Sequence, residues 1–505
     1  MKFSMPHAWV PRMSLLSMVL LSACAVGPNY TRPATTQGAD YSSEPLPPAT
    51  SSTDVHGGAA QQLVAGMDIP GLWWTLFQSS ELNDLVNEAM RANPNVAVAQ
   101  ASLRQANELA YANRASLFPS VGVTASSTRE KSAFGGFAPQ LMTVNAASLS
   151  VSYAPDVFGG TRRQIESATA QAEYQRFQLE ATYLTLTANV VNTAVTIASV
   201  RDQIAATKEI VRVQEAQLDL IKLRLGLGAV SKADVLAQEA ALAQTRASIP
   251  PLQKQLDQAR HQMTAYLGRF PNQARVDHFE LAGLHLPEAL PVSLPSAIVE
   301  QRPDVRAAEA QLHEASANVG VAIANQLPQF SLTGSLGSNS SSIADLFSAG
   351  TGIWSLAGSV TQTLFDAGAL RHKKLAAVAA YDASAAQYRG TVISAFQDVA
   401  NALRALETDA DALQEQVTAE RAAHDSLNLT QTQYRLGAVG YVNLLDAQQT
   451  YQNAVLARVR AQASRYSDTV ALFQALGGGW WNRADPLAQS TTDNPSSHRV
   501  EQRNP

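Results

Sequence analysis

The chain is short of sulfur and of charge. One of its 505 residues is cysteine. An intrachain disulfide is therefore excluded, as is a zinc or iron–sulfur centre held by several thiolates. Charged residues make up 16%, against about 25% in an ordinary soluble domain. Lys and Arg number 37 against 42 Asp and Glu, for a net charge of −5; a nucleic-acid binder should carry a basic excess. Past the N-terminus no run reaches ~18 uninterrupted apolar residues, which excludes a polytopic helical membrane protein. The nine histidines form no His-x-x-x-His or Glu-flanked pair, so no metal site is expected. There is no Gly-x-x-x-x-Gly-Lys phosphate loop and no nucleophile or acid–base constellation, so neither an enzyme nor a cofactor is expected. Gln, Ser, Thr and Asn stand in for charge on a 46% hydrophobic background. Such a surface suits very long interfaces or a membrane.

The first residues read as an address. Lys2 and Arg12 precede a short apolar run from Met13, too short to span a bilayer. Leu21-Ser22-Ala23-Cys24 resembles a bacterial lipoprotein signal. That resemblance implies cleavage after residue 23 and acylation of Cys24, several chains giving firm anchoring where one is marginal. Ala25 in place of Asp implies delivery to the outer membrane. Residues 24–70, rich in Pro, Ser, Thr and Gly, are expected to be a lipidated linker.

The rest is a duplication. Asn93-Pro94-Asn95-Val96 matches Arg302-Pro303-Asp304-Val305, and Leu117-Phe118-Pro119 matches Gln326-Leu327-Pro328. Gly159 with Arg162 matches Gly368 with Arg371, and Gly228-Ala229-Val230 matches Gly437-Ala438-Val439, all at one offset of 209 residues. One unit is used twice, over 71–291 and 292–481, with a disordered tail at 482–505.

Each unit reads as helix, two strands, long helix, turn, helix. Phe330, Leu332, Gly334 and Leu336 alternate with polar residues; so do Trp354, Leu356, Gly358, Val360, Gln362 and Leu364. Period two with one apolar side marks a half-buried strand, and about ten residues is the length of a tilted transmembrane strand. Val121, Val123 and Ala125, then Leu149, Val151 and Tyr153, are weaker copies. Val392, Phe396, Val399, Leu403, Leu406, Ala410, Leu413 and Val417 form a coiled-coil seam. The proline-free span from Arg371 to Leu436 predicts a helix of roughly 100 Å, and Arg162 to Leu225 one of roughly 96 Å. Helices over 94–118 with 231–267, and 303–327 with 442–476, sum to about the same lengths. Four strands cannot close a barrel, and an open edge cannot face lipid. Barrels start at about eight strands, so two chains could supply about eight and three about twelve.

Trp73-Trp74-Thr75-Leu76-Phe77, Leu82-Asn83-Asp84-Leu85-Val86, Arg302-Pro303-Asp304-Val305 and Ala475-Leu476-Gly477-Gly478-Gly479-Trp480 together resemble the TolC family of outer-membrane efflux proteins. So do Tyr434-Arg435-Leu436-Gly437 and Leu444-Leu445-Asp446-Ala447-Gln448. The branch they resemble is the NodT/OprM-like lipoproteins of resistance-nodulation-division pumps, over about residues 20–481. The resemblance implies a mainly α, mixed fold: a homotrimer sharing a twelve-stranded transmembrane β-barrel in the outer membrane of a Gram-negative bacterium, above a periplasmic α-helical barrel. It implies a periplasmic adaptor and an inner-membrane pump as partners, and passive conduction of drugs or other small molecules. A lipid-anchored coiled-coil scaffold without a pore and a type I secretion exit duct stay open as alternatives.

Two interhelical turns, Gly228-Ala229-Val230-Ser231 and Gly437-Ala438-Val439-Gly440, are expected on the resemblance to dock the adaptor. Tyr434, Asn443 and Asp446 are expected to form the periplasmic gate. A ring of Asp446 would favour cations; Asn443 stands where the family usually has Asp. Arg162 and Arg371 are candidates for the barrel-to-helix transition, Trp354 for an interfacial girdle, and Trp73 and Trp74 for packing anchors.

Overall fold

The computed structural model describes residues 25–34, 41, 47–132, 140–273, 279–293 and 295–483. The signal peptide expected over 1–23, Cys24 and the tail beyond 483 lie outside the described residues.

In chain order, β1 (Gln62–Ala65) and α1 (Ser80–Ala92) lead into the first copy. That copy is α2 (Pro94–Ala115), β2 (Ser120–Ser132), β3 (Gln140–Tyr153), α3 (Gly160–Gly226), α4 (Lys232–Ala247) and α5 (Ile249–Tyr266). Next, β4 (Ala289–Val292) and α6 (Pro295–Gln301) lead into the second: α7 (Pro303–Ala324), β5 (Gln329–Ser340), β6 (Gly352–Thr361), α8 (Ala369–Arg435) and α9 (Tyr441–Ala475). The 209-residue offset read from the sequence carries α2 onto α7 and α3 onto α8 at both ends. It also carries the joint span of α4 and α5 onto α9. The long helices α3 and α8 have 67 residues each, about 100 Å of helix.

Three expectations are corrected. The single helix expected over 231–267 is two helices meeting at Ser248. Pro250 and Pro251 remove two amide donors there; the second copy has Val459 and Arg460 at those positions and α9 is unbroken. β6 ends at Thr361, so Gln362 and Leu364 lie past the strand. The backbone instead turns toward α8, whose first amides Asp366 caps through Gly368 N (2.9 Å) and Leu370 N (2.7 Å). The stretch expected to be a linker up to residue 70 is packed over its second half. Thr50, Gln61 and Ile69 are buried, and β1 pairs in parallel with β4.

The chain divides into two compact units. One comprises residues up to 33, 101–176 and 307–390; the other comprises 34–100, 177–306 and 391 onward. The first holds an antiparallel sheet of order β2-β3-β5-β6.

In the second unit the expected seam is real. Val399, Leu403, Leu406, Ala410, Leu413 and Val417 are buried, while Phe396 is half-buried and packs on Tyr41. α3 holds an apolar window long enough to cross a membrane, but 72% of it is buried within the protein. It serves as a core helix. Trp73 and Trp74 are packing anchors: Trp73 stacks on Phe473 with centroids 5.3 Å apart and meets Trp74 edge-on. The two copies close their last helices alike. Asn93 Nδ2 donates to Tyr266 O (2.9 Å), and Arg302 Nη1 donates to Ala475 O (3.1 Å). These are equivalent positions under the repeat, and each side chain satisfies a carbonyl that the helix end would leave orphaned. Buried Arg465 ties the packed stretch to α9, donating to Gly57 O (2.9 Å), Thr50 Oγ1 (3.2 Å) and Gln61 Oε1 (3.2 Å).

Candidate functional sites: a two-faced sheet and a pair of helix turns

The sheet sorts its side chains by face. In an antiparallel ladder, opposed residues share a face. One set of rows is apolar: Val123 opposes Leu149, Leu149 opposes Leu336, and Leu336 opposes Trp354; a second row joins Val121, Val151, Gly334 and Leu356. The alternate rows carry hydroxyls. Gly122, Ser150, Ser335 and Ser355 form one, with Ser335 Oγ and Ser355 Oγ 2.8 Å apart. The apolar face is bare: Val123, Trp354 and Leu356 are each 78–79% exposed. A soluble sheet would cover such a face. Among the described residues, β2 and β6 each lack a strand partner on their outer edge.

At the base of the sheet, Arg162 starts α3 as expected. Its backbone amide and its Nε both donate to Asp156 Oδ2 (3.0 and 3.1 Å). Arg371 is exposed.

The two interhelical turns lie in the second unit and share one architecture. Gly228 and Gly437 hold φ of 71° and 74°, a left-handed conformation cheap only for glycine. Ala229 N donates to Arg224 O and Ala438 N to Gln433 O, both at 2.9 Å. Gly228 N donates to Leu225 O and Gly437 N to Tyr434 O. Both are Schellman closures, which satisfy the last carbonyls of a helix. The next helices start differently. Ser231 forms a capping box with Asp234 at the head of α4, whereas α9 starts from Gly440 without a side-chain cap. Asn443 is the repeat counterpart of Asp234.

One apolar cluster unites the turns: Ile221, Val235, Leu242, Tyr441 and Leu444 are buried, with Val230 and Tyr434 packed against them. Tyr434 meets Tyr441 at 5.3 Å between ring centroids, and the Arg224 guanidinium lies 5.8 Å from the Tyr434 centroid. Tyr441 donates to Gln238 Oε1, and Gln238 Nε2 donates to Gln214 O (2.9 Å). Burial, with Tyr434 and Asp234 nearby, pushes the Tyr441 phenol well above its ordinary range. Of the expected gate residues, Tyr434 sits in this cluster, while Asn443 and Asp446 are exposed on α9. Sequence reading missed Tyr441, Gln238 and Arg224. The only local signal was an aromatic at the first position of α9 where the first copy has Lys232.

The comparisons agree with this architecture. The chain is 29% identical over 491 residues to the toluene efflux pump outer membrane protein TtgC of Pseudomonas putida, covering 95% of this chain and 98% of TtgC. It is 28% identical to the probable outer membrane lipoprotein SilC of Salmonella typhimurium, over 93% of this chain and 98% of SilC. The solved structure of the outer-membrane channel OprN superposes with a TM-score of 0.81 at 28% identity, over 90% of this chain and 100% of OprN. A family model for outer membrane efflux proteins matches twice, at residues 85–269 and 294–478. With both halves of the duplication matched, the chain belongs to the outer membrane efflux protein family.

Proposed function

We propose that three copies of the chain close their four-stranded sheets into one transmembrane barrel, through which small molecules leave the cell passively. The observation that carries this reading is the sheet itself: bare apolar rows on one face, hydroxyl rows on the other, and two outer edges without a strand partner among the described residues. Lipid accepts the first face and a wet lumen the second. Neither edge can be left in lipid, and a third copy brings the strand count to about twelve, within the range of such barrels.

In this reading a periplasmic adaptor docks on the turns Gly228-Ala229-Val230-Ser231 and Gly437-Ala438-Val439-Gly440, whose small side chains permit close approach. A resistance-nodulation-division pump supplies the substrate. Tyr434, Asn443 and Asp446 form the periplasmic gate, with Asp446 repeated around the threefold axis. Cys24 carries the acyl anchor; SilC's name as a lipoprotein and the Leu21-Ser22-Ala23-Cys24 sequence support it. The test is the native mass of the protein extracted from outer membranes, with the mass of the N-terminal peptide read alongside. Three chains with an acylated Cys24 support the reading; a single chain overturns the shared barrel.

A further inference from the structure

The segment just after Cys24 is held in place by a site of its own. Val26 N donates to Phe158 O (3.0 Å), in the turn between β3 and α3. Arg163, in the first turn of α3, has a side chain only 6% exposed. Its Nε donates to Val26 O (3.1 Å), and its Nη2 to Gly27 O (3.4 Å) and Asn29 Oδ1 (2.7 Å). Its Nη1 donates to Glu166 Oε2 (2.7 Å), whose other oxygen lies 2.9 Å from His313 Nε2 on α7. The His313 ring is stacked on Tyr30 at 4.3 Å. Arg32 pairs with Glu309 of α7 at 3.1 Å.

The fit is close as well as polar. A Cβ on Gly159 would lie 2.7 Å from Ala25 Cα, and one on Gly27 would lie 2.5 Å from Gly320 Cα. A Cβ on Gly320 would meet the Arg163 side chain at 2.8 Å. Arg163 thus reaches the segment through a gap that glycine keeps open. The duplication supplies an internal comparison. Under the repeat offset, Arg163, Glu166 and Gly320 correspond to His372, Leu375 and Tyr111. The second copy of this surface therefore lacks the arginine, the carboxylate and the gap.

We infer that residues 25–32 form a strap that stitches α3 of the first repeat to α7 of the second, with Arg163 as its lock. The strap fixes where the anchor meets the membrane. Ala25, the residue after Cys24, lies against Gly159, just past the end of β3. Acyl chains on Cys24 would therefore start one residue away from this contact. This anchoring role rests on the acylation proposed above; the lock does not. Arg163 acts through the strap and is a positioning residue.

Hydrogen exchange on the protein as purified from outer membranes, with the state of Cys24 read by mass, tests the lock. The Val26 amide, which donates to Phe158 O, should be protected in the parent. Arg163→Met should speed its exchange at least about tenfold while conductance stays unchanged. Arg163→Lys, which keeps a donor, should restore part of the protection. Should Arg163→Met fail to fold, Asn29→Leu loosens the strap from its own side without touching α3. An unprotected strap in the parent, or protection unchanged in both Arg163→Met and Asn29→Leu, would overturn the lock. Protection that survives in Cys24→Ser supports a strap that holds without lipid. A protected strap with an unmodified Cys24 in the parent would leave the lock standing and overturn the anchoring role.

Discussion

Tyr441, the first residue of α9, donates its phenol proton to Gln238 of α4, tying together the helices that leave the two turns. The hydrogen bond is buried, since Gln238 is 0% and Tyr441 4% exposed. Tyr441→Phe keeps the ring and strands the Gln238 oxygen, which should cost about 1–3 kcal/mol. If this bond latches the closed turns, single-channel conductance should rise as well. Tyr441→Phe with Gln238→Leu removes both partners and should recover part of the stability, less the bond that Gln238 Nε2 gives Gln214 O, while conductance stays raised. Conductance that falls back as stability recovers would reduce the bond to a structural contact.

Asp446 and Tyr434 test the proposed gate from the other side. Replacing each by Ala should raise conductance in planar bilayers, Tyr434→Ala by removing the ring that packs on Tyr441 and faces Arg224. Asp446→Ala should also lower cation preference, read as a shift of the reversal potential across a salt gradient, because a ring of carboxylates favours cations. Asn443→Asp should shift that potential the opposite way. Asn443 is exposed and lacks the capping duty of Asp234, so an added charge there stays available to ions. An Asp446→Ala channel with parental conductance and selectivity would remove Asp446 from the gate.

The parts of this fold legible in the sequence are those with a local period. The alternation around Leu332 and Trp354 and the seam through Leu403 and Leu413 depend on neighbours a few residues away. The one repeat offset then carried α2 and α3 onto α7 and α8, and the joint span of α4 and α5 onto α9. Contacts made at long range left no such trace. Tyr441 and Gln238 lie 203 residues apart, and Arg163 and Val26 lie 137 apart. The packed residues around Gln61 were hidden for another reason. Their Ser-, Gly- and Pro-rich setting signals a linker, and it takes the distant partners Pro287, Arg465 and Thr469 to show that Gln61 is an interior residue. The break at Ser248 was readable from Pro250-Pro251, which remove two amide donors.

Asp468 on α9 makes the stability of the second unit sensitive to pH. Its carboxyl is pushed up to about 7, chiefly by burial and then by the charge and hydrogen bond of Asp409 on α8; Arg465 opposes the shift. The folded state therefore holds a proton that the unfolded chain releases near the ordinary aspartate value. With the folded pKa the higher, stability should fall as pH rises from about 4 toward 7 and level off above. Asp468→Asn removes the charge and keeps the shape. It should raise the melting temperature at pH 8 and leave it nearly unchanged at pH 4, followed by circular dichroism in detergent. An equal shift at both pH values would detach the effect from the carboxyl's titration.

Arg302 joins three segments of the second unit. It donates to Asp304 Oδ1 and Oδ2 (3.0 and 2.7 Å), to Asp398 Oδ2 of α8 (3.0 Å) and to the last carbonyl of α9, Ala475 O. Burial works against its charge, but Asp304 and Asp398 outweigh it and raise the guanidinium above its ordinary range. Removing one partner of a buried ion pair costs about 3–5 kcal/mol because the other charge is left behind. Here both carboxylates are partly exposed, at 42% and 47%, and water can take over part of the loss. Arg302→Met should therefore cost roughly 2–3 kcal/mol, below that range. Arg302→Lys should recover little, since an ammonium cannot reproduce the two-pronged grip on Asp304. The first copy uses Asn93 for the same carbonyl duty without any charge. Arg302→Asn would copy that arrangement into the second repeat. If the carbonyl cap dominates, Arg302→Asn should be measurably more stable than Arg302→Met in thermal melts. If the carboxylate pairs dominate, the two variants should melt together.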